Sequence, residues 1–196
     1  MSPRSLFLSS FGAVYVCAFV SYWLQFEGLY GEDGLLPVRL FWTQIRERVG
    51  GGDAPWSKFQ RFPCLLWFAD DDRNVSALVE GLSLVGAGLG ALAVAGVHHG
   101  SLFVGMFLCY LSLYGLGQTF LSFQWDIFLL ETGAAAVLYA PWWSARCDGV
   151  SAGHPAQWIL RAQWVKFMLC SGAVKVTAAC PTWQRLTALE YHFAST

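Results

Sequence analysis

The stretch FLSFQWDIFLLETG, Phe120 to Gly133, decides how the rest of the chain is read. It lies inside an apolar run from Ser101 to Trp143 and holds that run's only charges, Asp126 and Glu131. In lipid such groups are costly: an Asp at the centre of a membrane helix costs about 2.5–3.5 kcal/mol even on lenient insertion scales. A sequence that keeps two of them sets them against a partner, a cavity or the membrane surface.

The composition around this stretch points the same way. Of 196 residues, 56% are hydrophobic and 13% charged, where a soluble domain averages about 45–50% and about 25%. The expected fold class is therefore all-α, a polytopic helical membrane bundle. Its length allows about four to six spans of about 20 residues each. A net charge of −1 leaves no basic excess for a nucleic-acid partner.

Five spans are expected, at about 5–26, 75–97, 101–116, 126–143 and 156–176, in a single domain with a polar loop at 27–74. The first run ends in Tyr22, Trp23 and Phe26, an aromatic belt where a signal peptide would carry a small-residue cleavage site, so it reads as an uncleaved anchor. After Glu27 the glycines and Pro37 of EGLYGEDGLLP predict a turn. Within the polar loop, Phe41 to Arg48 reads as a short interfacial helix. Gly50 to Asp53 reads as a flexible break, and Phe62 to Phe68 as an interfacial or re-entrant segment too short to span.

VGAGLG, Val85 to Gly90, imitates a nucleotide-binding loop but lies among apolar residues. Gly81, Gly86, Ala87 and Gly90 read instead as small faces for helix packing. A tight turn or broken helix is expected from Gly117 to Trp125. Asp126 then starts the fourth helix, where the helix dipole favours a carboxylate. Tyr139, Trp142 and Trp143 form its far aromatic belt. The fifth helix carries Arg161, Lys166 and Lys175 and no acid, so the fourth and fifth helices are natural partners. A structural ion-pair network, a polar binding cavity and a proton relay or catalytic dyad all remain open for Glu131, Lys166 and their neighbours.

No cofactor or metal site is expected. The six cysteines form no CxxC and no zinc spacing. Cys17, Cys109 and Cys170 read as small buried hydrophobes; Cys64, Cys147 and Cys180 lie outside the apolar segments. His98-His99 reads as an interfacial turn, and Asp70 to Asp72 as a solvated helix cap. The sequon Asn74-Val75-Ser76, at the mouth of the second span, is expected to be poorly accessible.

Several longer phrases carry a family resemblance. GLYGEDGLLPVR (Gly28 to Arg39), FLSFQWDIFLLETG, SGAVKVTAACPTWQRLTALEYHF (Ser171 to Phe193) and, more loosely, RFPCLLWF resemble the lipase maturation factor family. They occur in the family's order along nearly the whole chain, and look closer to its second member than its first. The resemblance implies a multi-pass protein of the endoplasmic reticulum membrane, not an enzyme, with a cytosolic N-terminus. It also implies a role in folding secreted lipases such as lipoprotein lipase. The family's large luminal C-terminal domain is expected to lie outside this chain, as in a truncated form, so that domain's activity does not carry over.

In the family's orientation, Gln124, Trp125, Asp126, Lys175, Pro181 and Trp183 form one luminal-edge constellation, with Glu131 and Lys166 deeper in the bundle. Cys64 and Cys180 would share the oxidising side, although no spacing argument pairs them. One feature opposes this orientation: six Lys/Arg lie in the 27–74 loop and only Arg4 precedes the first span. The bundle is also similar to that of vitamin K-dependent carboxylase, which keeps a membrane enzyme as the alternative. A structural or transport bundle is the other.

Overall fold

A computed structural model describes residues 2–49, 54–69, 74–143 and 154–194. The expected break at Gly50 to Asp53, the Asp70 to Asp72 cap and Cys147 lie outside them. Among the described residues all regular structure is helical. Two compact units follow one another, Met1–Ala156 and Gln157–Thr196.

The first unit is built on α1 (Pro3–Tyr30). Ser2 caps its start by accepting from the Ser5 N–H, and Pro3 occupies the first turn, where its missing N–H is harmless. Phe7, Phe11, Tyr15, Phe19, Tyr22, Phe26 and Tyr30 recur every three or four residues and so share one face. Neighbouring rings along this spine lie 4.9–6.2 Å apart. Tyr22 and Phe26 are therefore core residues, not an interfacial belt. Trp23, on the opposite side, is exposed.

The helix also runs past Glu27, where a turn was expected. Tyr30 holds the extra turn: its ring stacks on Tyr22 at 5.0 Å and its hydroxyl donates to the Gly117 carbonyl at 3.0 Å. Gly31 then ends the helix by donating to the Phe26 carbonyl.

In the polar loop, α2 (Val38–Val49) buries Val38 and Trp42, α3 (Pro55–Arg61) follows, and Leu65–Phe68 forms a 3-10 turn. Trp42 packs on Trp67 with ring centroids 4.5 Å apart. The Leu65 N–H donates to Ser112 Oγ on α5 (Gly100–Leu116), which pins the loop to the bundle.

α4 (Val75–Val94) crosses α1 through small residues. A Cβ on Gly90 would lie 3.0 Å from the Gly12 carbonyl oxygen and 2.8 Å from Val16, and one on Gly12 would lie 2.6 Å from the Ala93 Cβ. Gly86 accommodates the Phe19 ring. Gly81 faces open space and takes no part in this crossing, contrary to expectation. Asn74 is exposed, so burial does not close the sequon.

A 3-10 turn at Gln118–Leu121 joins α5 to α6 (Gln124–Tyr139), with Gln118 in the left-handed region at φ 47°. The break expected at Gly117 to Trp125 is present. α6 stops at Tyr139, short of the expected Trp143, because Ala140 is extended before Pro141. Tyr139 is buried under Arg4 rather than belted, while Trp142 and Trp143 are exposed.

In the second unit α7 (Pro155–Thr177) is followed by α8 (Pro181–Gln184) and α9 (Ala188–Ala194). Among the described residues two helices, α1 with 28 residues and α4 with 20, are long and apolar enough to cross a membrane. α5 is apolar but has 17 residues. The 16 residues of α6 rise about 24 Å, short of a hydrocarbon core of about 30 Å.

Candidate functional site

A cavity of about 740 Å³ lies between α1, α5, the 3-10 turn and α6. α1 contributes a stripe from Phe11 through Ala18 and Tyr22 to Tyr30. Phe120 and Leu121 come from the turn, and Phe123, Trp125, Asp126, Phe128, Leu129 and Thr132 from the start of α6.

Asp126 is the group around which the cavity is organised. It sits in the first turn of α6, as the sequence predicts, and is 5% exposed. The Tyr110 hydroxyl of α5 donates to its Oδ1 at 2.8 Å. Its Oδ2 has no hydrogen-bond partner among the described residues. The hydroxyls of Tyr22, on α1, and of Thr132, on α6, are also buried and without partners among the described residues. Buried polar atoms in native proteins are nearly always satisfied. Asp126 Oδ2 and the Tyr22 and Thr132 hydroxyls are exceptions to that rule among the described residues. Among the described residues no Lys, Arg or His lines the cavity.

The remaining sequence-predicted residues divide between the units. Gln124 and Trp125 are exposed beside Asp126, with Trp125 stacked on Phe123 at 4.8 Å. Glu131 is half-buried on α6. Lys166, Lys175, Pro181 and Trp183 belong to the second unit. There Lys175 Nζ lies 4.8 Å from the Trp183 ring centroid, a cation–π contact, and Pro181 starts α8. Lys166 is exposed on α7.

Tyr15, Tyr22 (which the sequence suggests only as a belt residue), Tyr30, Tyr110 and Thr132 were not singled out as site residues from sequence. The spacing of aromatics along α1 was the available signal for the first three. Tyr110 and Thr132 carry no comparable signal.

The cysteines and histidines stand apart from the cavity. Cys17 and Cys170 are exposed, against the expectation of burial, Cys17 because it lies off the aromatic spine of α1; Cys109 is buried. Cys64 and Cys180 are free thiols, Cys64 fully buried and with its pKa pushed up to about 12 by that burial. The Cys180 thiol is pulled below the usual cysteine value by hydrogen bonds from Thr182. His98 is buried against Ser9, 2.8 Å from Nε2 to Oγ, and burial lowers its pKa. His99 caps α5 through the Ser101 N–H. Among the described residues no three potential metal ligands come together.

A family model described as the lipase maturation factor transmembrane domain matches residues 2–196. The chain belongs to the lipase maturation factor family. It is 41% identical to lipase maturation factor 2 of Xenopus laevis and 40% identical to that of Homo sapiens. It is 30% identical to lipase maturation factor 1 of Bos taurus. Each match covers 97% of this chain but only 27%, 28% and 34% of the respective relative. The chain thus spans about a third or less of the lipase maturation factors it matches. No solved structure matches it.

Proposed function

We infer that this chain is the membrane-embedded part of a lipase maturation factor, a multi-pass, non-enzymatic protein of the endoplasmic reticulum membrane that supports folding of secreted lipases such as lipoprotein lipase. The observation that carries this reading is the transmembrane-domain match across residues 2–196. The apolar α1 and α4 support a membrane setting, and the short α6 completes a span only with its flanking Ala140 to Trp143. In this reading Gln124, Trp125 and Asp126 face the lumen, as do Lys175, Pro181 and Trp183 of the second unit.

The test is a chimera in which residues 2–196 replace the matching segment of the human relative. It is expressed with lipoprotein lipase in cells that lack the endogenous factor. Recovery of secreted lipase activity is expected; a correctly inserted chimera that gives none refutes the reading. Orientation is read in parallel from glycosylation acceptor sites placed in the 27–74 loop and after Thr196, both of which are expected to be modified in microsomes.

A further inference from the structure

We propose that Trp56, Phe59 and Phe68 form an aromatic anchor that inserts the segment from α3 to the Leu65–Phe68 turn into the bilayer surface, where Lys58 and Arg61 meet phospholipid phosphates. The proposal rests on the membrane reading above and on neither the lipase role nor the orientation.

The depth of this segment follows from its two ends and one pin. Gly12 of α1 packs on Ala93 of α4, and Phe19 on Gly86, so the two helices run antiparallel. Tyr30 and Val75, which bracket the segment, therefore leave the bundle at the same end. The Leu65 N–H donates to Ser112 Oγ at 2.9 Å, and the Phe62 ring lies 3.0 Å from where a Cβ on Gly115 would stand. Ser112 is four residues, about 6 Å, inside the end of α5. The 17 residues of α5 rise about 26 Å, less than a hydrocarbon core of about 30 Å. In a bilayer the 3-10 turn is thus held at a level where lipid, not water, surrounds the bundle.

The outer side of the segment matches that setting. Trp56 stacks on Phe59 at 5.6 Å, and Phe59 meets Phe68 at 5.8 Å, so the three rings form one patch. Trp56 and Phe68 are 61% and 53% exposed, whereas Trp42, Cys64 and Leu66 fill the inner side and are buried. A joined aromatic patch outside the core marks a surface that something covers, and rings of this kind are favoured at a membrane–water interface. α3 sets Trp56 and Phe59 three residues apart on one face and Lys58 and Arg61 three apart on another, with no acid. Lys58 lies over the Trp67 ring at 5.6 Å, and Arg61 donates to the Val49 carbonyl at 2.6 Å. Rings on one face and cations on the other are the pattern of a helix lying in a headgroup layer. The depth favours lipid over a protein partner, which would have to displace it.

A benzoylphenylalanine photoprobe replaces Trp56 or Phe68 in the full chain, which is placed in nanodiscs of phosphatidylcholine with a minor share of phosphatidylglycerol. Leu24, 69% exposed on α1, takes the same probe as the control for membrane insertion. Adducts are identified by mass spectrometry after illumination. Lipid adducts at Trp56 and Phe68 are expected at no less than half the yield at Leu24. Phosphatidylglycerol should exceed its share of the bilayer at least twofold among them, because Lys58 and Arg61 lie alongside. High salt should at least halve that excess, and Lys58→Gln with Arg61→Gln should remove it. The salt series carries the test should the double variant fail to fold. Lipid adducts at Leu24 but not at Trp56 and Phe68, or only protein adducts there, overturn the anchor and leave the membrane reading standing. No lipid adduct at any of the three positions overturns both. Phosphatidylglycerol at no more than its own share, whatever the salt, overturns the phosphate contact.

Discussion

Replacing Tyr110 with Phe removes one oxygen from the buried contact that defines the site. The ring's packing against Tyr15 and Phe19, at centroid distances of 5.8 and 5.7 Å, stays in place. What is lost is the 2.8 Å hydrogen bond to Asp126 Oδ1. Because Oδ2 has no partner among the described residues, the carboxyl group would keep no side-chain donor there. A hydrogen bond to a charged group is worth about 1.5–3 kcal/mol. Tyr110→Phe should therefore destabilise the bundle by about that amount, roughly a tenfold to hundredfold shift in the unfolding equilibrium. The measurement is reversible unfolding in bicelles, run as a double-mutant cycle with Asp126→Leu. In the Asp126→Leu background the Tyr110 hydroxyl has lost its acceptor. Tyr110→Phe should then cost less than about 0.5 kcal/mol, a coupling of at least about 1 kcal/mol. If the two substitutions prove additive, Tyr110 and Asp126 do not act as a pair, and the account of the site fails at its centre.

Four further outcomes follow from other parts of the chain. Gly90→Leu should destabilise the chain by about 1–3 kcal/mol through overpacking, since the Gly12 carbonyl 3.0 Å from its Cβ cannot move aside as a side chain would. Gly81→Ala, with open space around it, should be neutral or slightly stabilising in the same unfolding assay. In maleimide labelling of the folded protein near pH 7.5, Cys180 should react at least about tenfold faster than Cys64, whose thiol is both buried and pushed up to about 12; Thr182→Ala should slow Cys180. Burial lowers the pKa of His98 below 6.5, with the nearby Arg4 charge adding to the effect. The neutral imidazole's contribution is thus complete above that unfolded value and lost as pH falls through the lower folded one. The melting temperature should drop between pH 7.5 and pH 5, and His98→Gln should flatten that drop.

The sequence made the helices legible but not which of their faces meet. Each of the five expected spans has a helix, since apolar runs bounded by Gly, Pro and charge leave few other choices. Asp126 stood out because a carboxylate among apolar residues is anomalous by itself. Its partner did not: Tyr110 is one aromatic among many, and its role depends on the α5–α6 turn bringing residues 16 positions apart within hydrogen-bond reach. The end of α1 was misread for a related reason. Gly28 argues locally for a turn, whereas the bond from Tyr30 to Gly117 spans 87 positions and overrides that preference. The belt reading of Tyr22, Phe26 and Tyr139 failed because aromatics near a run's end suit an interface or a core equally well. Only their periodicity with the preceding residues separates the two.

The two ends of α6 are held very differently. Beyond its C-terminus the Gly100 N–H donates to the Pro141 carbonyl at 2.8 Å, and His99 Nε2 lies 2.9 Å from the Trp142 carbonyl oxygen. Arg4 closes the same end by donating to the Tyr139 carbonyl at 2.7 Å. The Asp126 end has the Tyr110 bond and an unfilled space beside it. Such a rod is a lever with its fulcrum at residues 139–142. Asp126 stands about 21 Å from that fulcrum, so a tilt of about 5° there carries the carboxylate about 2 Å while the pivot barely moves. Widening the mouth of the cavity then strains the Tyr110–Asp126 hydrogen bond and leaves the moorings at residues 139–142 intact.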